Sequence, residues 1–87
     1  MTINLTKLRQ LCFNLEEEAK KLAAYNQDLD TLLREMESAW HDDSRFPQYQ
    51  GNIKKVIAFN DETIGELKAI HQKAYSLLVK LAKRLKN

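Results

Sequence analysis

His41-Asp42-Asp43-Ser44-Arg45-Phe46-Pro47 is the only stretch of this 87-residue chain that is rich in turn and cap residues, and its reading decides the fold. Asp43 or Ser44 carries the short, oxygen-bearing side chain that caps a helix N-terminus. Pro47 then falls in a first helical turn, where its missing N–H costs no hydrogen bond. The stretch predicts a chain reversal, with one helix ending before it and another starting within it.

Both flanks carry the same apolar rhythm. Upstream, Leu5, Leu8, Cys12, Leu15, Ala19, Leu22, Asn26, Leu29, Leu33, Met36 and Trp40 follow at alternating steps of three and four. Downstream, Ile53, Ile57, Asn60, Ile64, Leu67, His71, Ala74, Leu78, Leu81 and Leu85 do the same. Each is a heptad seam with its a and d positions filled. The expectation is an all-α, antiparallel two-helix hairpin forming a single domain over residues 1–87, with a helix from about 3 to 41, a turn at about 42–44 and a helix from about 45 to 86. Gly51 and Gly65 weaken the second helix by roughly 1 kcal/mol each against Ala. Thr63-Ile64-Gly65-Glu66 reads as a capping box, so a break near Asn60 and a three-helix chain stay open.

Folding the chain about Asp43 sets Leu5 against Leu81, Cys12 against Ala74, Ala19 against Leu67, Leu33 against Ile53 and Trp40 against Phe46. The two polar exceptions in the seams, Asn26 and Asn60, fall opposite each other. An amide pair satisfies itself across a seam, and a shifted register leaves it buried and unpaired. This layer is expected to fix alignment at some cost in stability.

A lone hairpin needs only its a and d stripe. Here the g column is also largely apolar, with Leu11, Tyr25, Leu32 and Ala39 on the first helix and Val56, Ile70 and Leu77 on the second. An apolar face three positions wide in seven belongs to a helix in a bundle. Phe13 and Phe59 lie outside the seams and add exposed apolar surface. The expectation is association with another hairpin, a second copy or a different chain, into a four-helix bundle. Leu11, Tyr25, Leu32, Val56, Ile70 and Leu77 are the candidate association surface.

Composition fits this reading. With 2 Gly and 1 Pro there are few places to turn a many-stranded β chain, and 30% charged with 44% apolar residues suits amphipathic helices. No apolar run approaches the roughly 20 residues that span a bilayer. The first residues have no apolar signal region, so a cytoplasmic location is expected, with export by a route that needs no cleaved signal left open. Cys12 alone makes no internal disulfide and points to a reducing compartment. The net charge of +2 divides unevenly: residues 1–43 hold 5 Lys/Arg against 9 Asp/Glu, and residues 44–87 hold 9 against 3. Halves of opposite sign favour lying against each other or against a second copy.

Ser38-Ala39-Trp40-His41-Asp42, with Phe46 downstream, places a Trp at the end of the first helix and an aromatic at the entry to the second. In this and in its length the chain resembles the Trp-Xaa-Gly family, the small early-secreted-antigen-like proteins of type VII secretion in Gram-positive bacteria. The resemblance covers the whole chain in architecture and is specific only at the turn, where Asp42 stands in the position of the motif Gly. It implies homodimeric or heterodimeric four-helix bundles, and Trp40, Asp42 and Phe46 as the turn motif. The family's export signal places an acidic residue four after a Tyr near the end of the second helix. Here Val79 follows Tyr75 at that spacing, which implies export with a partner that carries the signal, or no export.

Candidate chemistry is sparse. His41, Asp42 and Asp43 are consecutive and read better as a capped, solvated turn than as metal ligands. His71 sits in the seam facing Leu15, where a half-buried histidine or a pH-sensitive element of assembly fits. Glu16-Glu17-Glu18 and the Asp61, Glu62, Glu66 patch lie beside no nucleophile. Phosphate-binding glycine loops and metal-spaced Cys/His sets are absent from the sequence. Neither catalysis nor a cofactor or metal is expected. The expected role is a non-enzymatic interaction module, a type VII secretion-like substrate, co-substrate or escort. The competing reading uses Lys80, Lys83, Arg84 and Lys86 to bind nucleic acid or an anionic membrane, although cations at a helix C-terminus also serve the helix itself.

Overall fold

The computed structural model describes residues 4–86. Two helices, α1 (Leu5–Trp40) and α2 (Phe46–Lys86), pack antiparallel as a hairpin, and the rod measures 68 × 16 × 16 Å. The protein is an all-α helical hairpin. Ile3, included in the expected first helix, lies outside the described residues.

Each helix boundary has a local cause. Asn4 caps α1, its Oδ1 accepting from the N–H of Thr6 at 2.9 Å and of Lys7 at 3.3 Å. At the other end the N–H of Asp43 donates to the carbonyl of Trp40 at 2.9 Å. Asp43 then caps the second helix, its Oδ1 accepting from the N–H of Arg45 at 2.8 Å. The N–H groups of Gln48 and Tyr49 converge on the Arg45 carbonyl at 3.1 and 3.2 Å, so regular α-helix starts at Phe46. No φ is positive among the described residues, so the turn requires no glycine and Asp42 occupies it without backbone strain.

α2 runs unbroken through Asn60, which excludes the three-helix chain. The side chain of Thr63 does not cap a new helix. Its hydroxyl donates back to the Phe59 carbonyl at 3.0 Å, a bond made inside a continuous helix.

The core is a single seam between the two helices. Leu8, Cys12, Ala19, Asn26 and Leu33 are buried on α1, and Phe46, Asn60 and Ala74 on α2. The intervening seam residues, from Leu5 to Met36 and from Ile53 to Leu81, are half-buried. Leu8, Cys12 and Ala74 form one cluster, with Leu15, Leu78 and Leu81 packed against it. Two helices cover each other on one side only, and among the described residues no large side chain is fully enclosed. The seam opens at both ends. Trp40, expected to face Phe46, is 50% exposed while Phe46 is buried, and Leu85 is 73% exposed. At the Trp40 layer α2 has only just begun, so no earlier turn of it covers the indole; the layer opposite Leu85 lies outside the described residues.

Candidate association surface

The polar layer at the middle of the rod closes on itself. Asn60 Nδ2 donates to Asn26 Oδ1 at 2.9 Å, and Asn26 Nδ2 donates to the Ile57 carbonyl at 3.2 Å and to Asp61 Oδ1 at 2.9 Å. Both amides are buried, and no buried side-chain N or O among the described residues lacks a partner. Asp61 is the member that periodicity does not mark. It follows Asn60 directly, on the flank of α2 nearest Asn26, and that adjacency was the signal available.

The two flanks of the seam differ in chemistry. On the e flank stand Arg9, Glu16, Asp30 and Glu37 from α1 and Lys54, Asp61 and Lys68 from α2. A cleft of about 330 Å³ opens on this side, its apolar floor at Ala19 and Ile64 rimmed by Glu16, Lys20, Lys68 and His71. His71 stacks on Tyr75 with ring centroids 6.1 Å apart. The g flank is largely apolar, with Glu18, Thr63 and Arg84 as its polar members. Leu11, Tyr25 and Leu32 from α1 and Val56, Ile70 and Leu77 from α2 are all exposed, from 39% at Leu77 to 52% at Tyr25. The antiparallel pairing brings all six residues to one side of the rod, because g positions of both helices border the same edge of an antiparallel seam.

The apolar strip reaches the turn. Tyr49, seven residues before Val56, continues the g column of α2 and is 37% exposed. It lines a dent of about 420 Å³ with Met36, Trp40, Asn52 and Ile53. Trp40 therefore forms one wall of a surface hollow at the end of the strip, and Phe46 beneath it is core. Phe59 borders the strip and is 68% exposed, whereas Phe13 lies toward the e flank.

The opposite charges of the two halves do not discharge across the seam. Among the described residues, the ion pairs are Lys20 with Glu16 and Glu17, Lys21 with Glu18, Arg34 with Asp30, and Arg45 with Asp43 at the turn, where His41 Nε2 also lies 3.3 Å from Asp42 Oδ1. All are local, and surface pairs of this kind contribute little. Asp43 is held below the ordinary carboxylate value first by the Arg45 N–H and then by the Arg45 side chain. Among the described residues no three His, Cys, Asp or Glu side chains converge, and no helix is long and apolar enough to cross a membrane.

No known protein family, characterised protein or solved structure matches this chain.

Proposed function

We propose that this hairpin is a non-enzymatic interaction module that completes itself by covering its g flank with another helical hairpin, giving a four-helix bundle. The observation that carries the reading is the contrast between flanks: one edge of the seam is mostly charged, the other is a mostly apolar strip from Leu11 and Leu77 to Tyr49, interrupted at Glu18 and Thr63. Monomeric proteins seldom leave an apolar patch of such length in water. The strip spans 28 residues of helix, about 42 Å at 1.5 Å per residue, and across the 16 Å rod supplies roughly 700 Å² per partner, or about 1,300 Å² in all, within the range of specific protein–protein interfaces.

Within that reading, the Trp40 turn and the hairpin architecture support a role as a type VII secretion-like small protein, acting as substrate, co-substrate or escort of a helical partner. The test is to replace Leu32 and Ile70 together by Glu and to measure mass in solution. Loss of association with the helix content retained supports the assignment, and an unchanged oligomer rejects it.

A second reading has its own observation. Lys7, Arg9, Lys73, Lys80, Lys83 and Arg84 cluster at the end of the rod away from the turn, and none takes part in an ion pair among the described residues. A polyanion such as nucleic acid or an anionic membrane would meet this end. Binding that falls steeply with salt and is lost on neutralising Lys80, Lys83 and Arg84 supports it.

A further inference from the structure

Within α1 the e flank runs Arg9, Glu16, Ala23, Asp30 and Glu37, so Ala23 is its one uncharged member and the only one reduced to a methyl. Charged side chains on a flank fold their stems over the seam and shield it. Ala23 has no stem to fold. One turn earlier on the same face the seam residue is Ala19, equally short. The two alanines open the cleft of about 330 Å³ that lies between them and Ile64, with Leu15 as a further apolar wall.

The charges on its rim are unevenly paired. On the α1 side Lys20 is held by Glu16 at 3.6 Å and by Glu17 at 3.7 Å. On the α2 side Lys68 makes no ion pair among the described residues. The carboxylates of its own flank are engaged elsewhere, Glu16 with Lys20 and Asp61 with the Asn26 amide at 2.9 Å. His71 follows Lys68 by one turn and lines the same cleft, its ring stacked on Tyr75.

We propose that this cleft binds a compact organic anion, its apolar body on Ala19, Ala23 and Ile64 and its carboxylate or similar group at Lys68 beside His71. The size of the cleft sets the size of the ligand. From Leu15 to Ala23 it extends about 12 Å at 1.5 Å per residue, and its volume falls at the lower end of the range for small-molecule sites, about 300–1,000 Å³. A partner helix would need a longer apolar groove, and the flank beyond the cleft is charged at Arg9, Asp30, Glu37 and Lys54. The unpaired cation on the rim selects the sign of the ligand. The proposal goes beyond the bundle reading and is independent of it, because the e flank lies opposite the association surface and stays open when that surface is covered.

The experiment is an NMR titration of the full chain with octanoate, and with octylammonium as the matched cation. Octanoate should shift the backbone amides of Ala19, Ala23 and Lys68 and saturate with a Kd of about one millimolar. Octylammonium should bind more weakly. Ala23 is exposed, so Ala23→Leu fills the cleft without displacing a packed neighbour and should abolish the shifts while the helical signal is retained. Lys68→Met keeps the stem, removes the charge and should weaken octanoate about two- to fivefold. The Leu32→Glu, Ile70→Glu variant, altered only on the g flank, should bind octanoate as the wild type does. Octanoate binding that survives Ala23→Leu, that vanishes in the g-flank variant, or that octylammonium equals, overturns the site.

Discussion

Replacing Asn26 by Leu tests the logic of the polar layer most sharply. The substitution removes three hydrogen bonds at once: the Asn60 amide at 2.9 Å, the Ile57 carbonyl at 3.2 Å and the Asp61 carboxylate at 2.9 Å. Ile57 keeps its helical hydrogen bond and Asp61 is exposed to water, so the group left stranded is the buried amide of Asn60. A buried polar group without a partner costs about 1–3 kcal/mol. For a chain of this size each kcal/mol lowers Tm by roughly 4–8 °C. Asn60→Leu strands Asn26 less completely, because Ile57 and Asp61 still accept from it, and should cost less. Asn26→Leu with Asn60→Leu fills both positions with apolar side chains and should recover wild-type stability or exceed it. Thermal unfolding followed by circular dichroism on the four chains completes a double-mutant cycle. If the losses of the two single variants simply add in the double variant, the amides do not act as a pair and the reasoning fails.

Other expectations are as direct. A Cβ at Gly65 or at Gly51 meets nothing within 4 Å, so Gly65→Ala and Gly51→Ala should each stabilise the hairpin by about 0.5–1 kcal/mol, read as a higher denaturant midpoint. Asp43 has a lowered folded-state pKa, so its contribution is present above the unfolded value of about 4 and is lost as pH falls through the folded value. Asp43→Asn keeps a cap but removes the titration, and its acid unfolding curve below about pH 4 should be flatter than wild type. Leu32→Glu with Ile70→Glu should abolish association and leave the helical signal of the hairpin, because both side chains lie on the g flank, outside the seam.

The seam was legible because a spacing of three and four residues is a property of the sequence alone, and burial follows it layer by layer from Leu5 to Met36 and from Ile53 to Leu81. The Asn26–Asn60 layer was legible too, since two polar exceptions meet in only one register. The ends were harder to read. Trp40 obeys the spacing, but burial also needs an opposing turn of helix, and spacing carries no information about that. Asp61 was read as part of an acidic patch with Glu62 and Glu66, because heptad position predicts which flank a side chain occupies and not which hydrogen bond it makes. Tyr49 continues the g column one heptad before Val56, and its place there follows only once the second helix is known to start at Phe46. Opposite charges in the two halves suggested attraction across the seam. The structure shows local pairs instead, since the flanking side chains reach neighbours on their own helix first.

Light scattering of the purified chain across a dilution series tests the central claim most directly. The account predicts a dimer of about twice 10.2 kDa that dissociates only at low concentration, and more readily in the Leu32→Glu, Ile70→Glu variant. A well-packed monomer at every concentration, with its apolar strip left in water, would contradict it.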